Sequence, residues 1–165
     1  MTSDPLKILH EEVAVRSQAI TGSTNDWPCH KGCDHCCRNL ACLPELVEAE
    51  WLQVEEGLSG LEQAVRSEVE SRLAKLKDGE RPPHICPFLD REKGACHIYS
   101  HRPVACRTYG FYVERSVGSY CGIIRERVES GAYAEVVWGN HEAVDERLSR
   151  MGGKIQMREW LRRRR

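Results

Sequence analysis

Apolar positions recur at helical spacing in four stretches of the chain. Leu6, Leu9, Val13 and Ile20 share one helical face, with Ser3 or Asp4 as the N-cap and Pro5 in the first turn. A second stripe, Val47, Trp51, Val54 and Leu58, follows a start near Pro44, and Gly57 and Gly60 mark its end. Ser59 and Glu62 stand at capping-box spacing before a third stripe of Leu61, Val65, Val69, Leu73 and Leu76, which Asp78-Gly79 stops. The fourth helix is expected from about Tyr133 to Met151, with Val137, Val144 and Leu148 on one face and Gly152-Gly153 after it.

Between the third and fourth stretches the period changes. Ile85–Leu89 and Ala95–Tyr99 are short apolar runs separated by Asp90-Arg91-Glu92-Lys93-Gly94, a pattern that predicts a small hairpin. Pro87 confines it to an edge, because proline cannot donate to a ladder. Arg102-Pro103 is expected to open a short helix carrying Cys106. No internal repeat or low-complexity linker interrupts the chain.

Composition narrows the class. The 165 residues suit one domain, and 41% hydrophobic content can supply a core without covalent staples. The net charge of −1 provides no bulk field for a nucleic acid or a membrane. It is unevenly placed: residues 158–165 hold five arginines and one glutamate, +4, so the remainder sums to −5. The N-terminus lacks a basic segment followed by an apolar run, and no stretch reaches the roughly 18 apolar residues of a membrane span. A cytoplasmic location and no membrane contact are expected.

Nine cysteines then require an explanation. Reducing compartments disfavour structural disulfides, and an odd count cannot pair completely. Metal binding, thiol chemistry and buried thiols remain. Cys29, Cys33, Cys36 and Cys37 lie within nine residues, and a two-residue gap lets one turn aim two thiolates at one ion. Gly32 permits unusual backbone angles beside Cys33. Adjacent side chains diverge, so Cys36 and Cys37 either serve different ions or divide into a ligand and a support. Cys86, Cys96, Cys106 and Cys121 are too widely spaced for one local loop and must converge through the fold. Cys42, after Leu40-Ala41, is expected to be an ordinary buried thiol. All-sulfur ligation excludes magnesium and calcium and favours zinc, iron–sulfur or copper(I).

These motifs carry a resemblance. Cys29-x3-Cys33-x2-Cys36-Cys37, then Cys86-Pro87-Phe88-Leu89-Asp90, then Gly94-x-Cys96-x-Ile98-Tyr99-x-x-Arg102-Pro103-x-x-Cys106-Arg107, is similar to the YkgJ-type cysteine-cluster family, described as zinc- or iron-chelating or Fe–S-containing. The resemblance covers about residues 29–121. It implies the ligand set Cys29, Cys33, Cys36, Cys37, Cys86, Cys96, Cys106 and Cys121, and leans slightly towards iron–sulfur over zinc. How eight thiols divide is open: two zinc sites, one cluster with one zinc, or one cluster with supporting thiols. The apolar stripes and the cysteine-rich middle predict a mainly α, small cysteine-rich metal-binding domain with a short β-hairpin and about four helices around the metal site. Its parts are an N-terminal helix over 1–28, the cysteine-cluster domain over 29–121, and a C-terminal helix with a basic tail over 122–165, forming one compact domain.

A divalent ion with four thiolates carries about −2, which is costly to bury. Arg102, Arg107 and His97 stand close enough in sequence to offset that charge from outside the ligand set. The plainer role for the arginines is packing against surface carboxylates. His30 and His35 suit exposed turns better than ligation, and His84, His101 and His141 have no partner pattern. Asp90, Tyr99 and Tyr109 have no paired nucleophile or carboxylate, which leaves a turn aspartate and two core tyrosines. Gly57-x-x-Gly60 lacks the strand and the lysine of a phosphate loop. The tail Arg162–Arg165, with Trp160, is a weak hint of nucleic acid and is expected to be frayed and solvated.

Three functions compete. The first is an iron–sulfur or zinc protein for electron transfer, metal handling or assembly with a protein partner. The second is a cluster-dependent enzyme, since the resemblance extends to much longer flagellin lysine N-methylases that use S-adenosylmethionine. The third is a purely structural zinc protein. No catalytic residue can be assigned.

Overall fold

The computed structural model describes residues 4–76 and 81–163. Ser3, Asp78, Gly79, Arg164 and Arg165 lie outside the described residues. The described residues are about 53% helical. In chain order the elements are α1 Pro5–Ser23, α2 His35–Arg38, β1 Glu45–Leu46, α3 Glu48–Ser59, α4 Gln63–Lys75, β2 Leu89–Asp90, β3 Ala95–Cys96, a 3-10 turn Tyr99–His101, α5 Val104–Thr108, β4 Tyr112–Glu114, β5 Val117–Gly118, α6 Gly122–Glu129, β6 Gly139–Asn140, α7 His141–Met151, β7 Ile155–Gln156 and α8 Met157–Arg163. The mainly helical expectation holds, but the described residues form eight helices where about four were expected. No described helix is long and apolar enough to cross a membrane.

The chain divides into two compact units, each assembled from two separate stretches: residues 1–30 with 104–151, and residues 31–103 with 152–165.

The first unit is organised by α1. Asp4 accepts the Leu6 N–H at 3.0 Å as N-cap, and the expected face of Leu6, Leu9, Val13 and Ile20 is buried. This helix packs on α5 and α7. A small sheet runs in the order β5-β4-β6, with β4 antiparallel to β5 and parallel to β6. Arg115 and Ser116 join β4 to β5 with φ of 44° and 68°. Two consecutive positive φ values match the twist of a two-residue hairpin turn. An aromatic cluster closes the unit: Trp27 lies 4.6 Å from Tyr133, 5.5 Å from Trp138 and 5.8 Å from Phe111, centroid to centroid.

Here the expected helix from Tyr133 is corrected. α7 starts only at His141, because Gly139 pairs with Tyr112 across β6 and β4, and the Asn140 side chain accepts the Ala143 N–H at 3.2 Å. A Cβ on Gly139 would lie 2.3 Å from the Tyr112 ring, so the glycine serves this strand contact. Val144 and Leu148 are buried as expected, but Val137 lies before the helix and is 68% exposed.

The second unit is built on α3, α4 and α8. Trp51, Val54 and Leu58 from α3 meet Val69 and Leu73 from α4, Phe88, Ile98, and Met157 and Leu161 from α8 in one core. The antiparallel pair β1–β7 brings residues 152–163 back, with Leu46 opposite Ile155. The Trp160 Nε1–H donates to the Leu46 carbonyl at 2.9 Å and Arg158 to that of Leu76 at 3.0 Å. The frayed tail is therefore corrected up to Arg163: apolar Met157 and Leu161 dock it, and Glu159 pairs with Arg162 and Arg163.

Three further expectations change. Ser59 ends α3, its hydroxyl donating to the Glu56 carbonyl at 2.8 Å, so no Ser59–Glu62 capping box forms; Glu50 instead accepts the Val47 N–H at 3.2 Å at the start of α3. Gly57 lies inside α3, not at its end. A Cβ there would sit 2.9 Å from the His101 Cβ and 3.0 Å from the Ile98 methyl, so the glycine lets the Tyr99–His101 turn press against the helix. The hairpin is present but short, β2 with β3, and Pro87 lies outside it.

Candidate metal centre

All nine cysteines are free of disulfides. The second unit holds Cys33, Cys36, Cys37, Cys42, Cys86 and Cys96, and the first holds Cys29, Cys106 and Cys121. Short backbone elements bring part of the second set together. α2 is a single turn that carries Cys36 and Cys37. Arg38 closes on Asp34 at 2.6 Å and donates to the Arg91 carbonyl at 3.1 Å, tying that turn to the β2–β3 loop. Leu40 and His84 exchange backbone bonds of 3.0 and 2.8 Å. Just beyond them the Cys86 N–H donates to the Cys37 carbonyl at 2.7 Å. Cys96 stands on β3 opposite Leu89, whose N–H donates to the Cys86 carbonyl at 3.1 Å.

The side chains follow the backbone. The thiols of Cys36 and Cys37 are hydrogen-bonded, and so are those of Cys37 and Cys86. Adjacent Cys36 and Cys37 therefore stay together. The hydrogen bond to Cys37 and burial push the Cys36 thiol far up, against the Cys37 N–H and the Arg102 charge. For Cys37 the bond from Cys36 pulls down. The bond to Cys86, burial and the fields of Cys86 and Cys96 outweigh it, and the thiol is pushed up to about 12. Burial raises Cys96, opposed by the Ile98 N–H bonded to its sulfur and by Arg102.

All four thiols are half-buried, and Cys36, Cys37 and Cys96 resist ionisation because each anion would face its neighbours in a poorly solvated place. A thiophilic cation reverses that balance, since coordination deprotonates the sulfur. The donor chemistry thus fits zinc or iron. Among the described residues no group of three or more His, Cys, Asp or Glu side chains is arranged to hold an ion as it stands; the thiols bond one to the next instead.

Cys33 is half-buried in the loop before α2, after Gly32 with φ 101°. Cys29 and Cys121 pack in the aromatic cluster of the first unit with Trp27, Ile124 and Tyr133. A Cβ on Gly110, φ 89°, would lie 2.5 Å from the Cys29 sulfur, so only glycine admits that thiol. Cys106 is half-buried on α5. Arg107 belongs to the first unit, where its charge acts on His10 of α1. Cys42 corrects the buried-thiol expectation: it is exposed, because neighbouring Leu43 takes the core position.

His30 is exposed, as expected. Asp90 is a turn aspartate that accepts the N–H groups of Glu92 and Lys93, which with the charges of Lys93 and His97 hold its carboxyl below the usual range. One contact escaped the sequence reading. The Tyr99 ring carries the Arg102 guanidinium at 3.7 Å and the Lys31 ammonium at 5.5 Å. Its only sequence signal was the three-residue gap from Tyr99 to Arg102.

No curated protein and no solved structure matches this chain. A family model described as "CxxCxxCC: Putative zinc- or iron-chelating domain" matches residues 28–134, more than half of the 165 residues. The cysteine motifs, the thiol set they build in the second unit and the extent of this match lead to one conclusion: the chain belongs to the CxxCxxCC family.

Proposed function

We propose that this protein binds zinc or iron through thiolates of Cys36, Cys37, Cys86 and Cys96, and serves metal handling or electron transfer with a protein partner. The observation that carries this reading is the run of sulfur contacts from Cys36 through Cys37 to Cys86, with Cys96 in electrostatic reach. Neutral thiols of ordinary core packing need no such crowding of polarisable, mutually repelling groups. A bound ion would supply the positive charge that holds the four sulfurs together as thiolates. The chain's own part is to hold the sulfurs: α2 presents two, the Cys37–Cys86 backbone bond positions the third, and β3 the fourth.

Anaerobic purification with iron, sulfide and zinc quantitation tests this. Stoichiometric metal in the wild type and its loss in Cys37→Ser and Cys96→Ser is the expected result. Metal retained by both variants would remove these thiols from the site. Cys29, Cys33, Cys106 and Cys121 remain proposed ligands by the same assay.

A further inference from the structure

Tyr99 occupies a position that its bulk alone does not explain. It opens the 3-10 turn three residues after Cys96, and that turn is pressed onto α3 where Gly57 leaves room. Its ring faces two cations, Arg102 at 3.7 Å and Lys31 at 5.5 Å, and its carbonyl accepts the Arg102 Nε–H at 3.1 Å. Lys31 precedes the Gly32-Cys33 loop, and Arg102 follows Cys96 by six residues. One aromatic ring thus joins cations from both arms that carry the thiols. Arg102 is fixed at two points, and a guanidinium keeps its charge at any physiological pH. Fixing it removes rotamer freedom before any ligand arrives, so that less is lost on binding.

We propose that Tyr99 is a positioning residue for the thiol site: its ring and carbonyl hold Arg102, and with it Lys31, as fixed positive charges that offset the negative charge of a metal–thiolate centre. This rests on the metal-binding reading above. The field of Arg102 already reaches Cys36 and Cys96. An ion with four thiolates carries about −2, and two cations held nearby oppose that excess. The hydroxyl of Tyr99 has no part in this; the face of the ring does the work.

Cobalt(II) titration of the reduced full-length chain tests the proposal, read by thiolate-to-cobalt charge-transfer absorption and by competition with a chelator. Tyr99→Phe should bind as the wild type does. Tyr99→Leu and Arg102→Gln should each weaken binding roughly tenfold, the low end for loss of a partner outside the ligand shell. The double variant should be worse than Arg102→Gln by no more than the roughly twofold to threefold share of Lys31, because Tyr99 acts through these two cations. Lys31→Gln, at an exposed position, should weaken binding about twofold to threefold and flatten its salt dependence even if Tyr99→Leu folds poorly. Wild-type affinity in Tyr99→Leu and Lys31→Gln, or losses that simply multiply in the double variant, would overturn the proposal while leaving the metal site standing. A wild type without any cobalt–thiolate band would overturn both.

Discussion

The Cys86 N–H donates to the Cys37 carbonyl at 2.7 Å, a bond between residues 49 positions apart that sets two thiols side by side. Local turn geometry cannot produce this pairing. It depends on the Leu40–His84 bridge next to it and on the Arg38 contact with the Arg91 carbonyl.

Exposure separates the cysteines into testable groups. Cys37→Ser and Cys86→Ser should lose most bound metal, whereas exposed Cys42→Ser should change neither metal content nor solubility. Elemental mass spectrometry of the three purified proteins decides it. Equal loss in Cys42→Ser would mean that the ligand set is wrong.

Gly57→Ala poses a contest of two effects. In an open helix the change would add up to about 1 kcal/mol of stability. Here the new methyl would lie 2.9 Å from the His101 Cβ, and overpacking of that kind costs roughly 1–3 kcal/mol. Crowding should win, lowering the melting temperature by a few degrees, about 2–4 °C per kcal/mol for a chain of this size. Thermal unfolding followed by circular dichroism measures it, and a rise in Tm would show that the turn can retreat.

Gly110→Ala should be more severe. The position has φ 89° and the added carbon would lie 2.5 Å from the Cys29 sulfur, so strain and overlap together predict a loss of roughly 2–4 kcal/mol. Cys29→Ala removes the sulfur and should recover part of that loss in the double variant. Strictly additive losses in urea unfolding would show that the sulfur is not what the methyl meets.

His10 gives the first unit a pH dependence. Burial, then the Arg107 charge, lowers its pKa from 6.5 to about 4 against the pull of Asp4, and its Nε2 is buried without a hydrogen-bond partner among the described residues. The folded pKa lies below the unfolded one, so the unfolded chain takes the proton first. The stability that neutral His10 confers is whole above 6.5 and is lost as pH falls towards 4. The loss from about pH 7 to about pH 5 should be on the order of 1 kcal/mol, discounted for screening of the half-buried ring. His10→Gln should lose correspondingly less between the same two conditions. An identical pH slope in denaturant titrations of both proteins would remove His10 as the cause.

Local features were legible along the chain and non-local ones were not. Asp4, Pro5 and the Leu6–Ile20 stripe specify α1 within itself, and the short helix after Pro103 needs only its proline. The α3 and α4 stripes survive because their burial follows helical period. The start of α7 was misplaced because Gly139 and Asn140 obey strand partners, Tyr112 and Val113, 27 residues earlier. Cys42 was misjudged because the choice between it and Leu43 is made by the core. In the candidate site the cysteines were visible as ligand types, but the subset that meets in the second unit depends on backbone pairing across 49 residues. Tyr99 looked like core because a cation over an aromatic face leaves no motif.

The split construction of the thiol-bearing unit has a consequence in time. Its β1–β7 ladder and its α4–α8 packing need residues 152–163, which are synthesised after the whole 104–151 stretch. At about 5–20 residues per second, that interval of roughly 50 residues lasts about 3–10 seconds. During it every thiol of the unit has already been made while its core is still open. A nascent chain would therefore meet metal donors, and oxidants, before it is finished, and the order of loading and closure becomes a matter of kinetics in the cell.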